Sequence, residues 1–255
     1  MLRLFPNGTP IPVEAVYGDL SLPEPPPDRP YVVTNMVSTV DGKITVAGRA
    51  AGIGSPVDQL LMRYLRAAAD AVLQGAETVR RENPDFRLPD FLAARRQARG
   101  WPPHPLGVVV SRSADLPLTL RLLQPGARTV VFVPQSAPPD RVAALAGRVT
   151  VRVVGADQVE IGAMLRQLRR EFGVRWLVLE GGPILNYAFF AQGLVDEVFW
   201  TIAPKIVGGT GAESKTMVEG PPFPPDRPVR LDLLSCFANG AELFLRYRVQ
   251  PPNAG

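Results

Sequence analysis

The segment Glu180-Gly181-Gly182-Pro183 combines the residue types that a phosphate-binding turn needs. Four apolar residues at 176–179 precede it and predict a buried strand that ends at the turn. Two glycines allow a polyanion to approach the backbone, and the start of a following helix offers free N–H groups and the positive end of the helix dipole. Pro183 suits the first position of that helix, where no N–H is needed. The segment predicts either a pyrophosphate-binding turn or a plain strand-to-helix connection. In the first case the Glu180 carboxylate would bind a hydroxyl group, an amide or the turn itself.

A second group of polar side chains follows the first predicted strand, at about 31–38. Ser38, Asp41 and Lys43 place a hydroxyl, a carboxylate and an ammonium group in one short loop, a set that suits a polar ring with donor and acceptor edges. Asn35, if it points inward, needs polar partners in the core. Asp41-Gly42 is also typical of a simple turn, so the functional and the structural interpretation both stay open.

Two more strand ends carry groups that bind anions. Gly75 opens a predicted single helical turn with Thr78 near its start, a geometry that suits an anion, and Arg80-Arg81 adds guanidinium groups. The alternative is a solvated, charged turn. Ser111-Arg112 offers a further phosphate contact. The chain lacks the spaced glycines of a dinucleotide fingerprint and the Gly-Lys-Ser/Thr of a P-loop.

The elements that must position these groups alternate between strands and helices. This alternation predicts an α/β fold with a mostly parallel central sheet flanked by helices and a C-terminal antiparallel hairpin. Ser55 before Pro56 indicates the start of a helix, and Asn239-Gly240 indicates the tip of the hairpin between 229–237 and 241–249. In such sheets ligands bind beyond the carboxyl ends of the strands, which is where the polar segments lie.

The domain organisation follows from the distribution of proline. Residues 1–29 are predicted to form an irregular, proline-rich N-terminal extension, and residues 30–255 to form one domain.

Composition narrows the function classes. A chain of 255 residues with 46% hydrophobic and 20% charged residues is typical of a soluble globular protein. The net charge of +4 comes from scattered arginines rather than a basic stripe, which favours small phosphorylated partners over nucleic acid. The chain has one cysteine, Cys236, which excludes an internal disulfide. Its one histidine, His104, lies in a proline-rich loop and is predicted to be at the surface, which excludes a Ser-His-Asp triad and a multi-histidine metal site. No apolar run approaches the ~20 residues of a membrane span, so a cytoplasmic location is expected.

Taken in order, these motifs resemble the reductase domain of riboflavin biosynthesis, which has the dihydrofolate-reductase-like fold. The resemblance covers about residues 30–249 and rests on Asn35–Ile44, Ile53–Pro56, Leu65–Ala67 with Asp70–Val72, Gly75–Val79, Glu180–Pro183, Gly193–Glu197 and Ala203-Pro204 to Gly208-Gly209. A stand-alone reductase is expected, because no zinc-ligand motif of the often fused deaminase domain precedes Tyr31. Glu82 stands where the family usually has an aspartate, and Met62 where it often has a histidine.

The resemblance implies an NADPH-dependent oxidoreductase similar to 5-amino-6-(5-phosphoribosylamino)uracil reductase. Such an enzyme converts a ribosylamino-pyrimidine 5′-phosphate to its ribitylamino form without a metal. Asp41 and Glu180 are the implied catalytic residues. The implied substrate-binding residues are Asn35, Ser38, Lys43 and Arg63. The implied cofactor-binding residues are Gly75, Thr78, Val79, Ser111, Arg112, Gly181, Gly182, Pro183 and Ile184.

Two alternatives stay open at this point. One is a pterin or dihydrofolate-type reductase on the same fold, with the amidine edge of a planar ring against Asp41 or Glu180. The other is a non-catalytic nucleotide-binding protein. A homodimer is expected, because residues 194–200 and the C-terminal arm are more apolar than one face of a small sheet needs, and because members of the family pair.

Overall fold

The computed structural model describes residues 1–5, 7–50, 52–211 and 214–251, which divide into two compact units. The first unit comprises Met1–Ser21, Val32–Leu65 and Leu179–Gly255, and the second comprises Leu22–Tyr31 and Arg66–Val178. Residues 252–255 of the predicted domain lie outside the described residues. The predicted boundary between an extension at 1–29 and a domain at 30–255 stays a prediction.

The regular elements follow one another along the chain with short connections in most places. In order they are β1 (Leu2–Phe5), β2 (Thr9–Pro10), α1 (Glu14–Tyr17), β3 (Tyr31–Thr39), α2 (Pro56–Ala68), β4 (Ala71–Gly75), α3 (Ala76–Glu82), α4 (Asp90–Ala98), β5 (Leu106–Val110), a 3-10 turn (Arg121–Leu123), β6 (Thr129–Val133), α5 (Pro139–Ala146), β7 (Thr150–Val153), α6 (Ile161–Glu171), β8 (Trp176–Leu179), α7 (Pro183–Ala191), β9 (Glu197–Ala203), β10 (Leu231–Asn239) and β11 (Glu242–Val249).

The second unit is built on a sheet with the strand order β8-β4-β5-β6-β7. The pairs β4–β5, β5–β6 and β6–β7 are parallel, and Val72, Val108 and Val131 in its middle are fully buried. The helix α6 buries Met164 and Leu168, as its apolar spacing predicts. The predicted parallel part of the α/β fold is therefore confirmed in this unit.

The helix α4 was missing from the sequence-based expectations. It buries only Leu92, Ala93 and Arg96, too few apolar positions to show a helical period in the sequence. Arg96 is 2% exposed, and its guanidinium donates to the carbonyls of Ala67 (2.9 Å), Ala69 (2.5 Å) and Pro102 (2.8 Å). Burial lowers the pKa of Arg96 to about 10. Hydrogen bonds to residues elsewhere in the fold leave no pattern in the sequence of the helix, so they could not be used to predict α4.

The first unit contains the antiparallel part of the fold, with the strand order β2-β1-β10-β11-β9-β3. The strands β3 and β9 are parallel, whereas β9–β11, β11–β10, β10–β1 and β1–β2 are antiparallel. The predicted C-terminal hairpin is confirmed: Asn239 pairs with Glu242, and Gly240 takes a positive φ of 59° at the tip.

The prediction of an irregular N-terminal segment was wrong for residues 2–5, 9–10 and 14–17, which form two strands and a helical turn. The strand β1 pairs with β10, with Leu2 opposite Ala238, and Pro10 is tolerated in the two-residue edge strand β2 because an edge position needs no ladder N–H. Tyr17 of α1 packs edge-to-face on Phe199 of β9, with 5.2 Å between the ring centroids. These strands are short and depend on a partner that lies far away in the sequence, so the proline-rich local sequence does not predict them.

The reason given for a dimer does not hold in the structure. The apolar strand β9 lies between β3 and β11, and β11 lies between β9 and β10, so neither is an edge. Their apolar residues are explained by burial on both faces of β9, where Val198 and Phe199 are both buried. In the described part of the chain, no helix is long and apolar enough to cross a membrane.

Candidate active site

The glycine turn has the backbone geometry that its sequence predicts. Gly181 directly follows Glu180 at the end of β8, is buried and has a φ of +86°, which disfavours any side chain there. A Cβ atom on Gly181 would lie 3.6 Å from Met36 Sδ and 3.8 Å from Asn186 Nδ2, so conformation rather than space demands glycine. Gly182 caps α7, and its carbonyl accepts from the Asn186 N–H (2.9 Å). The free N–H groups at the start of α7 are thus available beside the turn.

Asn186 is a residue of this turn that sequence reasoning missed. It is fully buried. Its Nδ2 donates to the Met217 carbonyl (2.9 Å), while Oδ1 has no hydrogen-bond partner among the described residues. An asparagine inside a helix gives no signal of its own, and only the fold places it beside Gly181.

Asp41 is held by hydrogen bonds at the end of β3. The Thr39 hydroxyl donates to Asp41 Oδ1 (2.5 Å), and the N–H groups of Gly208 (2.7 Å) and Val207 (3.4 Å) donate to the same carboxylate. These bonds, that from Thr39 foremost, lower the pKa of Asp41. The carboxylate therefore ties the loop after β9 to the loop after β3. The predicted catalytic role of Asp41 stays a prediction beside this anchoring role.

The predicted substrate residues of β3 point to opposite faces of the strand. Asn35 and Ser38 are three residues apart, and side chains alternate along a strand. Ser38 is fully buried. Its hydroxyl donates to the Thr39 carbonyl (3.0 Å) and accepts from Trp200 Nε1 (2.8 Å). Asn35 is half-buried, in register with Phe199 of β9. The structure thus separates Ser38 from Asn35 and gives Ser38 a local structural role.

The two remaining predicted substrate residues lie closer to the surface. Lys43 is half-buried, and its N–H donates to the Thr39 hydroxyl (3.0 Å). Arg63 is exposed on α2. Their contact with a substrate stays a prediction.

The charges of two buried carboxyl groups of the first unit, those of Glu180 and Glu242, act on Asp58, and we call these three acids the carboxylate cluster. Glu180 is 9% exposed and Glu242 is 5% exposed. Asp58 is hydrogen-bonded to Thr201, and burial, with the charges of Glu242 and Glu180, raises its pKa to about 6. The sequence pointed to Glu180 alone, because Asp58 is typical of the first turn of a helix and Glu242 of a hairpin end.

Ser55 connects this cluster to the start of α2. Its hydroxyl oxygen accepts from the N–H groups of Val57 (3.1 Å) and Asp58 (3.2 Å), which confirms the predicted helix cap. The Ser55 N–H donates to Glu242 Oε1 (3.1 Å), and the Ser55 hydroxyl donates to Glu242 Oε2. No group of three or more His, Cys, Asp or Glu in the described ranges is arranged to hold a metal ion.

The predicted cofactor residues of the second unit lie at the carboxyl ends of its strands. Gly75 caps α3 in an extended conformation, Thr78 is half-buried and Val79 is buried. Ser111 is 2% exposed at the end of β5, and its hydroxyl has no hydrogen-bond partner among the described residues. Arg112, next to it, is exposed. This is the end of a parallel sheet where ligands bind.

The other two arginines of this region already have partners. Arg80 donates to the Asp115 carbonyl (2.8 Å), and Arg81 forms an ion pair with Glu77 (3.1 Å). Arg112 is therefore the stronger phosphate candidate of the three.

The opposite end of this sheet carries a cavity without any predicted site residue. It has a volume of about 200 Å³ and is lined by residues that include His104, Arg121 and Arg128. His104 is half-buried rather than at the surface, and its Nδ1 accepts from the Leu88 N–H (3.1 Å). His104 therefore fixes a loop.

We expect Asp58→Asn to change how stability depends on pH. The folded-state pKa of Asp58, about 6, lies above the ordinary value of 3.8, so the folded protein binds this proton more tightly than the unfolded chain. Stability is therefore lost as pH rises from about 3.8 through about 6, by on the order of 3 kcal/mol. Urea unfolding at about pH 4 and about pH 8 should show this loss in the wild type and not in the variant.

Asp140→Asn is the matched control, because Asp140 is an exposed acid in the first turn of α5. It should leave the wild-type pH dependence intact. An unchanged difference between the two pH values in Asp58→Asn would contradict the assignment of this proton to Asp58.

Comparison with known proteins places these features in a family. The sequence model of the RibD C-terminal domain matches residues 30–245. The chain is 37% identical over 222 residues to the 2,5-diamino-6-ribosylamino-4(3H)-pyrimidinone 5′-phosphate reductase of Methanothermobacter thermautotrophicus, covering 87% of this chain and 99% of that one. It is 31% identical over 230 residues to the reductase of the same name from Aquifex aeolicus, covering 87% and 97%.

Solved structures agree with this assignment. A pyrimidine reductase-like protein from Corynebacterium diphtheriae superposes with a TM-score of 0.80 at 25% identity, covering 93% of this chain and 98% of that one. The riboflavin biosynthesis reductase Rib7 of Saccharomyces cerevisiae shares the fold at a TM-score of 0.66 and 17% identity, covering 93% and 97%. The predicted α/β fold is confirmed, as one that a pyrimidine reductase-like protein shares. With residues 30–245 matched by the family model and most of its length matched by these relatives, the chain belongs to the RibD C-terminal domain family.

Proposed function

We propose that this chain is an NADPH-dependent reductase of riboflavin biosynthesis that converts a ribosylamino-pyrimidine 5′-phosphate to its ribitylamino form. The observation that carries the proposal is the 37% identity to a reductase of this pathway over 99% of that protein. Three relatives carry the name of the diaminopyrimidinone phosphate reductase. Their names favour the diaminopyrimidinone over the uracil as substrate.

The test is a comparison of three substrates with the purified protein and NADPH. We expect rapid NADPH oxidation with the diaminopyrimidinone phosphate, slower oxidation with the ribosylamino-uracil phosphate, and none with dihydrofolate. Fast oxidation with dihydrofolate alone would support the folate-type alternative. NADPH binding without turnover on any of the three would support a non-catalytic nucleotide-binding protein.

The residues of each unit fit a dinucleotide. In the first unit, Gly181 has a conformation that disfavours side chains, and α7, a helix of nine residues, starts directly behind it. Gly181, Gly182 and Ile184 would hold phosphate through backbone N–H groups, and Pro183, which has no N–H, would fix the start of the helix beside the phosphate. In the second unit, the buried Ser111 hydroxyl lacks a protein partner in the described residues, as expected for a group that binds a ligand. The cofactor would also bind, next to Ser111, to Gly75, Thr78, Val79 and Arg112.

The chemistry needs little from the protein beyond orientation and proton handling. When bound, the nicotinamide supplies the hydride that forms a C–H bond at the open-chain sugar carbon. Asn35 and Glu180 would orient the pyrimidine through its polar edge, because an amide and a carboxylate match its N–H and C=O groups. Asp41 would fix the loop that borders the substrate.

Gly181→Val should remove cofactor binding and leave the protein folded. A β-branched residue is strained at a φ of +86° and blocks the approach of phosphate to the backbone. We expect NADPH affinity to fall at least about tenfold by fluorescence titration, the equivalent of about 1.4 kcal/mol. Gly173→Val is the matched control, because Gly173 also has a positive φ, with nothing within 4 Å of its Cβ position. Equal NADPH affinities of the two variants would mean that Gly181 is only structural.

NADPH should be preferred over NADH because of Arg112. A charge-assisted contact with the 2′-phosphate contributes about 1.5–3 kcal/mol, or roughly ten- to a hundredfold in affinity. Arg112→Ala should reduce NADPH affinity by this factor and leave NADH affinity unchanged in the same titration. The exposed Arg148 serves as the control when changed to alanine. Equal Michaelis constants of the wild type for the two cofactors would refute the preference.

Asp41→Asn should lower turnover far more than it weakens NADPH binding. Asn keeps one acceptor oxygen and carries no charge. If the Asp41 carboxylate handles the proton, its loss should lower turnover ~10²–10⁴-fold. Thr39→Val removes the hydroxyl that donates to Asp41 and is the matched variant for the anchoring role. Steady-state kinetics with the pyrimidine substrate distinguishes the two, because equal losses in both variants would assign Asp41 to the loop alone.

The assembly and the location are also proposals. The exposed apolar side chains of Leu2, Leu4 and Phe5 on β1 and of Leu231 and Leu233 on β10 favour a homodimer that covers them. Light scattering at micromolar concentration should give twice the chain mass, and a stable monomer would refute the dimer. A phosphorylated pyrimidine partner and a cytoplasmic location agree with the biosynthetic role.

A further inference from the structure

The second unit has a cavity of about 200 Å³ at the amino ends of β5 and β6. A single buried water needs about 10–15 Å³, and the pockets of drug-sized ligands have about 300–1,000 Å³, so this volume suits a small organic molecule. The cavity lies away from the proposed cofactor residues of this unit, because Ser111 follows Gly107 of the cavity wall by four residues, or about 13 Å along β5. The apolar part of the wall comes from Phe86, Leu122 and the prolines at 103, 105 and 125.

Thr129 places a buried hydroxyl group in the wall of this cavity. It opens β6 and is 6% exposed, and its Oγ1 has no hydrogen-bond partner among the described residues. Gly107 pairs with Thr129 in the parallel register, and a Cβ atom on Gly107 would lie 3.1 Å from Thr129 Oγ1 and 3.2 Å from Phe86 Cδ2. Because glycine adds no side chain there, the space beside the hydroxyl stays open. A buried polar atom without a partner is unfavourable, and a ligand in the cavity would supply its hydrogen bond.

The charged side chains of the wall favour an anion. Three arginines and one aspartate line the cavity, so its wall carries an excess of positive charge. Arg87 donates to both carboxylate oxygens of Asp85 at 2.6–3.0 Å, and these bonds lower the pKa of Asp85, so the pair is ionised near neutral pH. Arg121 and Arg128 supply the excess charge. Arg128 donates one N–H to the His104 carbonyl at 3.4 Å, and a guanidinium group has five such donors.

His104 adds a further donor to the wall. Its Nδ1 accepts from the Leu88 N–H at 3.1 Å, so the neutral ring carries its proton on Nε2, which is therefore a donor. A hydroxyl, an imidazole N–H and two guanidinium groups match a ligand that has several acceptor oxygens. A phosphomonoester has three such oxygens and a charge of about −1.5 to −2, which matches two arginines better than the single charge of a carboxylate does.

We propose that this cavity is a second anion site of the protein, which binds a small phosphomonoester with an apolar body. The phosphate accepts hydrogen bonds from the Thr129 hydroxyl, from His104 Nε2 and from the guanidinium groups of Arg121 and Arg128. The apolar body packs against Phe86. The site takes no part in the proposed reduction, and the inference does not depend on the proposed function.

The experiment is isothermal titration calorimetry of the full chain with phenyl phosphate as the probe. We expect one site with a Kd below about 1 mM, and binding at least about tenfold weaker for phenol, which has the ring without the charge. Thr129→Val should weaken the binding of phenyl phosphate about tenfold, because it removes a hydrogen bond to a charged group. It should fold, because valine has the shape of threonine and replaces a hydroxyl that has no protein partner among the described residues. Thr150→Val is the matched control, because Thr150 is exposed at the start of β7.

The two arginines give an independent arm of the test. Arg121→Ala and Arg128→Ala should each weaken the binding about threefold, since both side chains are exposed to water. Arg141→Ala is their control, because Arg141 is exposed on α5 and lies outside the wall of the cavity. If Thr129→Val does not fold, these two variants decide.

Four results would overturn the inference. They are a wild type that does not bind phenyl phosphate, equal affinities for phenyl phosphate and phenol, an affinity that Thr129→Val and both arginine variants leave unchanged, and a Kd that rises when NADPH is added. The last two would place the probe at another phosphate site of the chain. None of them involves turnover, so NADPH oxidation with the pyrimidine substrates tests the proposed function separately.

Discussion

The parallel pairing of β3 with β9 determines which side chains of the first unit meet. Asn35 lies opposite Phe199 and Val37 opposite Thr201, so one face of these strands carries both Asn35 and Thr201, the partner of Asp58. A shift of one residue would exchange the two faces and would bring Ser38 to that face in place of Asn35. The hydrogen bond from Trp200 Nε1 to the Ser38 hydroxyl, 2.8 Å long, exists only in the observed register.

The carboxylate cluster lowers the stability of the fold at neutral pH. This unfavourable free energy is the reason to connect the cluster with function. Burial removes hydration from Asp58, and the charges of Glu242 and Glu180 repel its carboxylate. Ser55 offsets part of this cost at Glu242, and Thr201 does so at Asp58. A neutral residue at position 58 would be cheaper for the fold. Strongly perturbed acids are typical of functional sites, and the reduction consumes a proton.

The second unit serves a simpler purpose. Its strands are apolar and parallel, and their carboxyl ends present short polar turns at Gly75 and at Ser111. Backbone groups and a hydroxyl suffice to bind a phosphate without burying a charge. This difference explains why the proposed cofactor residues are visible as short motifs, whereas the acids of the carboxylate cluster lie far apart in the sequence.

The sequence by itself determined the elements whose signals are local. Alternating strands and helices, the Ser55 cap, the Asn239-Gly240 hairpin and the glycine turn at Gly181 are all found where they were predicted, because each depends on residues within one turn or one strand. Only the tertiary structure decided the pairing of β1 with β10, the burial of Arg96 among its three carbonyl partners, and the charges of Glu180 and Glu242 that act on Asp58. These contacts join residues far apart in the chain, and a side chain's charge state and partners depend on what the fold brings within a few ångströms of it.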